Sequence, residues 1–333
     1  MGYVIAVDLG ATNTRVARVE GSGTIVGTVV SIPTPQNGEF PRVITDHLIA
    51  AVRGKTPAPS AALEGIGIAA AGPVDYFRGS VVHPPNIPCA EIPVVDPLEE
   101  AFGVPVRLAN DCLTGILGEA LFGAARGFND AVYITISTGI GAGIIAGGTL
   151  LLGSHGNAGE VGHIPVDSTY NVRCGCGYTG HWEGFASGRH LPEFFAAWHT
   201  GSHRGSPEFP ASTAKEIYSA ARNGHPRARA FVDVVGKIHA RGISAVIVAY
   251  DPEVIILDGA IVVENQDLIV PAIERYADRF LPLPRLRITA LEGRAPLLGA
   301  SVIANGYDTP FGSLLGNTGS GNPPARSDVR DIP

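Results

Sequence analysis

Asp8-Leu9-Gly10-Ala11-Thr12-Asn13-Thr14 and Ser137-Thr138-Gly139-Ile140-Gly141-Ala142-Gly143 decide the fold. Each stretch is a glycine-bearing turn between two β-type runs. The first lies between Tyr3–Asp8, a continuous apolar run, and Thr14–Val19, which alternates. A tight turn of this kind can aim backbone N–H groups and threonine hydroxyls at a phosphate, while a carboxylate at the strand end holds Mg²⁺ through water. An ordinary hairpin is the alternative, because Asp and Asn are good turn formers in their own right. Two such loops at matching places favour a nucleotide gripped between two lobes. Neither is a Walker loop, since no Gly-Lys-Ser/Thr follows, and neither has the Rossmann spacing.

Outward from the first loop, the periodicity predicts a turn at Gly21-Ser22-Gly23 and a third strand over Thr24–Ile32. A helix over Phe40–Val52 and a strand over Gly65–Ala71 follow. A short helix over Pro93–Phe102, a strand over Val104–Leu108 and a helix over Leu113–Ala125 complete the first half. The pattern then restarts with strands near Ala131–Ser137, Ala142–Ala146 and Thr149–Leu152. Helices are predicted over His190–Trp198, Thr213–Arg222, Arg227–Tyr250 and Gln266–Phe280, with strands at Glu253–Leu257 and Arg287–Leu291. Leu297–Asn305 reads as a closing helix, and Thr309–Pro333, rich in Gly and Pro, as a flexible tail. Three strands followed by alternating helix and strand, stated twice, predict a duplicated α/β architecture with a cleft between the halves.

Composition agrees. The 333 residues suggest about two domains at ~150 residues each, and 45% hydrophobic with 17% charged residues is enough for a packed core. A net charge of −7 argues against a surface that coats nucleic acid and supplies no polybasic membrane anchor. Ala131–Gly159 carries no Asp, Glu, Lys or Arg and is long enough to span a bilayer. Its interrupting glycines make it a set of buried strands instead. The start has no basic region and is no signal peptide, so a soluble, cytoplasmic protein is expected. Of the 43 glycines, 13 fall in residues 139–184, which marks that segment as a wall of ligand loops.

Four more stretches carry chemistry. Asn110-Asp111 sits at a strand–helix junction, where it serves either as an N-cap or as a catalytic pair. Gly156-Asn157-Ala158-Gly159-Glu160-Val161-Gly162-His163 places Glu160 and His163 three apart, able to face one way. Cys174-Gly175-Cys176-Gly177-Tyr178-Thr179-Gly180-His181 has the soft-ligand clustering of a structural zinc site, the alternative being a glycine-rich loop with two free thiols. Val254–Ala260 is a buried strand ending in a glycine turn. Cys89 and Cys112 have no partner pattern, and the isolated histidines at 47, 199, 203, 225 and 239 read as background.

In this order, with Gly67–Val74 (GIAAAGPV), these motifs resemble the ROK family of sugar kinases and repressors, from about Val4 to Asn305. The family lies within the actin-like ATPase superfamily. The resemblance implies a two-lobed, ribonuclease H-like duplicated fold with an interdomain cleft. The small domain would be 1–111 plus about 297–308, and the large domain 112–296 with a zinc-loop insertion. It implies ATP-dependent phosphorylation of a hexose, glucose first, at the 6-hydroxyl, with Asp111 as general base. Sugar contacts would come from Asn86, Asn110, Asp111, Glu160, His163 and Glu183. Mg²⁺–ATP would lie on Asp8, Gly10, Ala11, Thr12, Asn13, Thr14, Thr138, Gly139, Gly141 and Gly259. A structural Zn²⁺ would be held by His163, Cys174, Cys176 and His181. Three positions depart from the family pattern: Leu113 where Asn is frequent, His181 where a third cysteine is usual, and Asp258 where Gly is commoner.

A homodimer is implied by the same resemblance. The alternatives are a kinase for N-acetylmannosamine, N-acetylglucosamine, mannose or fructose, polyphosphate as donor, and a sugar-responsive regulator without catalysis. The family's repressors carry a helix-turn-helix before the first phosphate loop, for which Asp8 leaves no room. A filament-forming ATPase is disfavoured by the complete set of sugar contacts and base.

Overall fold

β1 (Tyr3–Leu9) is buried at every one of its seven positions, as a central strand covered on both faces must be. β2 (Asn13–Glu20) runs back antiparallel to it, and β3 (Thr24–Pro33) extends the meander to an exposed edge. After α1 (Pro41–Arg53), β4 (Leu63–Ala70) returns parallel on the other side of β1. A small sheet of β5 (Val74–Asp75), β6 (Ser80–Val82) and β7 (Glu91–Pro93) follows. α2 (Val95–Phe102) then leads into β8 (Val106–Asn110), parallel to β4. The first sheet has the order β3-β2-β1-β4-β8.

α3 (Asp111–Phe122) leaves that sheet, and the pattern begins again. β9 (Ala131–Ile136), β10 (Ile140–Ala146) and β11 (Thr149–Leu150) form the second meander. α4 (Trp182–Ala186), α5 (Leu191–Ser202), α6 (Ala214–Arg222) and α7 (Pro226–Tyr250) make the crossover to β12 (Val254–Asp258), parallel to β9. α8 (Ala260–Glu264) and α9 (Gln266–Tyr276) precede β13 (Arg285–Ile288). The second sheet has the order β11-β10-β9-β12-β13, which repeats the first strand for strand. The expected duplication is present as topology. α10 (Ala295–Ile303) and a hairpin of β14 (Asp308–Thr309) and β15 (Gly312–Ser313) close the chain. The structure, a computed structural model, describes residues 2–21, 23–35, 41–56, 63–84, 89–154, 156–202, 211–306 and 308–313.

α3 and α10 join the halves. α10 packs on β1 and β4 of the first sheet, while α3 packs on β9 and β10 of the second. The two helices meet backbone to backbone. A Cβ on Gly299 would collide with the Thr114 carbonyl, and one on Gly118 with that of Ala295. The seam brings the head of α3 to the cleft floor.

Several boundaries differ from the sequence expectations. The strand predicted over Val104–Leu108 runs Val106–Asn110, so Asn110 ends it and α3 begins at once with Asp111. The strand predicted over Arg287–Leu291 is Arg285–Ile288. Leu291 instead turns into the core, and Glu292 takes a positive φ of 51°. The helix predicted over Gln266–Phe280 stops at Tyr276, and β5 to β7 are additional, being too short to show a period. The predicted tail does not start at Thr309. There β14 and β15 pair, and the Phe311 carbonyl accepts from the Leu150 N–H at 2.7 Å. The rest of that tail, from 314, lies outside the described residues.

Candidate functional site

The first loop is a turn that its own residues enforce. Gly10 N–H donates to the Asn13 carbonyl at 3.1 Å, and a Cβ on Gly10 would stand 2.8 Å from that oxygen. Asp8, buried near the end of β1, faces Arg15 across the β1–β2 register, and Arg15 Nε donates to its carboxylate at 2.8 Å. Burial raises the Asp8 carboxyl above the usual range, the Arg15 charge opposing and the nearby Asp258 adding. Thr12 and Asn13 are exposed and Ala11 is half-buried. Thr14 is fully buried and bonds the Thr34 hydroxyl at 2.9 Å. Its hydroxyl is therefore turned into the protein, while Thr12 and Asn13 are the exposed polar residues of the turn. Thr34 also donates to the Gly10 carbonyl at 2.7 Å and so braces the whole turn, a role the sequence reading missed.

The second loop is the β9–β10 hairpin, with Thr138 exposed and Gly139 half-buried at its tip. Glu183 holds it in place, accepting from the Ile140 N–H at 2.9 Å. Gly139 must lack a side chain there, since a Cβ would stand 2.7 Å from Glu183 Oε2. Gly141 lies against Cys112, where a Cβ would be 2.8 Å from Sγ. The second glycine hairpin is therefore in contact with the first turn of α3, beside Asp111.

Asn110 settles its own ambiguity by being a cap. Its Oδ1 accepts from the N–H groups of Cys112 at 2.8 Å and Leu113 at 3.4 Å, and its Nδ2 donates to the Gly72 carbonyl at 3.1 Å. One amide hydrogen is left over for a sugar hydroxyl. The cap fixes Asp111 as the first residue of α3. Burial pushes the Asp111 carboxyl up to about 7, with the Asp8 and Glu160 charges adding to the rise. A carboxylate poised near neutrality is suited to accept a proton from an alcohol.

Glu160 and His163 come together as expected, Nε2 of His163 lying 3.8 Å from the Glu160 carboxylate. Crowding by the surrounding chain raises the Glu160 carboxyl, His163 opposing and Glu183 adding. The other nitrogen of His163, Nδ1, faces Cys174 Sγ at 3.8 Å. Cys176 Sγ lies 3.2 Å from His181 Nδ1. The ligand atoms of His163, Cys174, Cys176 and His181 all lie within 4.8 Å of one another. Two thiols and two imidazoles so close fit a tetrahedral Cys₂His₂ zinc set, in which neighbouring ligand atoms are ~3.3–3.8 Å apart. With four protein ligands no position stays open, so such a metal is structural.

Gly259 has φ 98°, and a Cβ there would be 2.5 Å from the Ile136 carbonyl. Asp258, which stands where Gly is commoner in the family pattern, is buried. Its carboxylate accepts from the Gly259 N–H at 2.6 Å and the Tyr133 hydroxyl at 3.0 Å. Asn86 lies outside the described residues. Arg15, Thr34 and Tyr133 were not anticipated. Only Arg15 had a signal, since a hairpin turning at 10–12 pairs residue 8 with 15.

Two sheets of one topology, each presenting a glycine hairpin to a cleft floored by α3, define the two-lobed actin-like ATPase class. The ROK family model matches residues 4–306, and the chain belongs to that family. It is 36% identical over 291 residues to a glucokinase of Aeropyrum pernix, covering 85% of this chain and 89% of that one. A solved ROK family glucokinase from Streptomyces griseus, in complex with glucose and AMPPNP, superposes with a TM-score of 0.74 at 33% identity, covering 91% and 99% of the two chains. A ROK hexokinase from Thermus thermophilus gives 0.75 at 31% identity, with 91% and 97% covered.

Proposed function

We propose that the protein is an ATP-dependent glucokinase that phosphorylates the 6-hydroxyl of glucose, with Asp111 as general base. The observation that carries this reading is the position of Asp111. It heads α3, its carboxyl is raised to about 7, and it lies beside the second glycine hairpin with the Glu160 carboxylate in electrostatic reach. Glucose would be held by Glu160, His163, Glu183 and the remaining Asn110 hydrogen, with Asn86 as a further contact. Asp111 accepts the hydroxyl proton as that oxygen attacks the γ-phosphorus of ATP, the bond from the γ-phosphorus to the bridging oxygen breaks, and ADP leaves. The exposed Thr12, Asn13 and Thr138, with Gly10, Gly139, Gly141 and Gly259, would cradle the nucleotide.

Asp8 would hold Mg²⁺ through water, and when bound the ion would neutralise charge on the transferring phosphates. Zn²⁺ on His163, Cys174, Cys176 and His181 would clamp the sugar loop, because His163 belongs to both sets. The kinases similar to this chain support glucose as acceptor and a nucleoside triphosphate as donor.

The test is ADP release measured with glucose, mannose, fructose, N-acetylglucosamine and N-acetylmannosamine, each with ATP or polyphosphate. The highest kcat/KM is expected with glucose and ATP. Preference for another pair reassigns the substrate, and sugar binding without turnover favours a regulator.

A further inference from the structure

His239 lies on α7 and is completely buried. Its Nδ1 accepts a hydrogen bond from Trp182 Nε1 at 3.2 Å, the two rings meeting edge to face with centroids 6.0 Å apart. The accepting Nδ1 puts the ring proton on Nε2. That nitrogen is buried with no partner among the described residues. Burial lowers the imidazole to about 4, so the ring stays neutral. A neutral buried donor left unmatched costs stability that an apolar side chain of similar size would not. The acceptor on the other side of the ring is what the position gains.

That acceptor holds a residue of particular leverage. Trp182 is fully buried and stands between His181 and Glu183 at the start of α4. Its backbone N–H donates to the Ile164 carbonyl at 3.0 Å, next to His163, and His181 makes a β-bridge with Pro165. Gly242, one turn after His239 on the same face of α7, lacks the Cβ that would collide with the indole ring. The indole is keyed into a notch and pinned at its N–H. We infer that His239 is a positioning residue for sugar binding: through Trp182 it fixes where α4 carries Glu183, and with it the loop that presents His163.

This inference rests on the kinase reading, so the wild-type protein is assayed first. If glucose is not its acceptor, that reading falls, and the comparison is made on the hexose that is phosphorylated. His239→Leu, which keeps the bulk and removes the acceptor, is expected to raise the sugar KM about ten-fold while the ATP KM stays within about two-fold. His239→Asn places Oδ1 where Nδ1 was and is expected to restore most of the sugar KM. Trp182→Phe keeps a ring and removes the donor. It should reproduce the His239→Leu defect, and the double variant should be no worse than either alone. If His239→Leu does not fold, Trp182→Phe and His239→Asn carry the comparison. The inference is overturned by an unchanged sugar KM in Trp182→Phe, by sugar and ATP KM rising together, or by His239→Asn matching the leucine variant.

Discussion

The Tyr133 hydroxyl donates at 3.0 Å to the buried carboxylate of Asp258, joining β9 to the end of the adjacent β12. The same carboxylate accepts from the Gly259 N–H, so the bond anchors the turn expected to face the nucleotide. Tyr133→Phe removes one donor from a buried carboxylate and creates almost no cavity. A stability loss of about 1–3 kcal/mol follows from leaving that acceptor under-satisfied. Because Gly259 loses part of its anchor, the ATP KM should rise several-fold with the glucose KM unchanged. Denaturant unfolding and separate substrate titrations check both. An unaltered ATP KM would detach Asp258 from the nucleotide side.

Asp111 gives a prediction that couples activity to stability with opposite signs. Its carboxyl is raised from 3.8 to about 7, chiefly by burial. The folded protein therefore holds the proton more tightly than the unfolded chain does. That contribution is complete below about pH 4 and is lost as pH rises through 7. At pH 8 the wild type carries an unfavourable charge that Asp111→Asn lacks. The variant should be more stable there, by about 4 kcal/mol, with the gap closing below pH 4. Its turnover should fall by at least about a thousand-fold, as expected for loss of an essential base. Near-normal turnover in Asp111→Asn would remove it from the mechanism.

The wild-type pH profile follows from the same group. As base, Asp111 must be ionised, so kcat/KM for glucose should fall about ten-fold per pH unit below a midpoint near 7. Two neighbouring carboxylates contribute to that midpoint. Glu160→Gln removes one of them and should move the limb to lower pH, even as it weakens sugar binding. A limb that stays in place would assign it to another group.

Metal removal tests the clamp. Chelation removes the zinc that His163, Cys174, Cys176 and His181 would hold, and Cys176→Ser removes one of the candidate ligands. The glucose KM is expected to rise about ten-fold or more, with the ATP KM unchanged, because His163 faces Cys174 with Nδ1 and Glu160 with Nε2. Metal analysis alongside kinetics checks it. Zinc-free protein with a normal glucose KM would make the cluster incidental to sugar binding.

What the sequence made legible was local. The two glycine hairpins, the Asn110 cap and the zinc-loop spacing are each written within about eight consecutive residues, where turn and capping chemistry act directly. The duplicated α/β architecture followed from their repetition, and the structure supplied the strand order. What stayed hidden depends on distant partners. Thr34 reaches Thr14 across 20 residues, and Tyr133 reaches Asp258 across 125, with nothing in either neighbourhood to announce the pairing. Asp258 stood out in the sequence only as a departure from the family pattern, and nothing beside it marked the bond to Tyr133. His239 read as background for the same reason. Strands β5 to β7, two or three residues each, carry too few positions for a period to show.

The helix seam supplies the last prediction. Gly299→Ala would ordinarily stabilise a helix interior by about 1 kcal/mol. Here the added methyl would occupy the place of the Thr114 carbonyl on α3, a backbone group with no rotamer to yield. Separation of the two helices has to follow, at a cost of about 1–3 kcal/mol or more for overpacking, which outweighs the propensity gain. Gly54→Ala is the control. Its Cβ would meet nothing nearer than the Ala51 carbonyl at 3.5 Å, so neutrality or a small gain is expected. Thermal unfolding of both variants separates the effects. Because α3 carries Asp111 at its head, Gly299→Ala should also lower kcat, whereas Gly54→Ala should not. Equal melting temperatures would mean that the seam is compliant and does not set the position of Asp111.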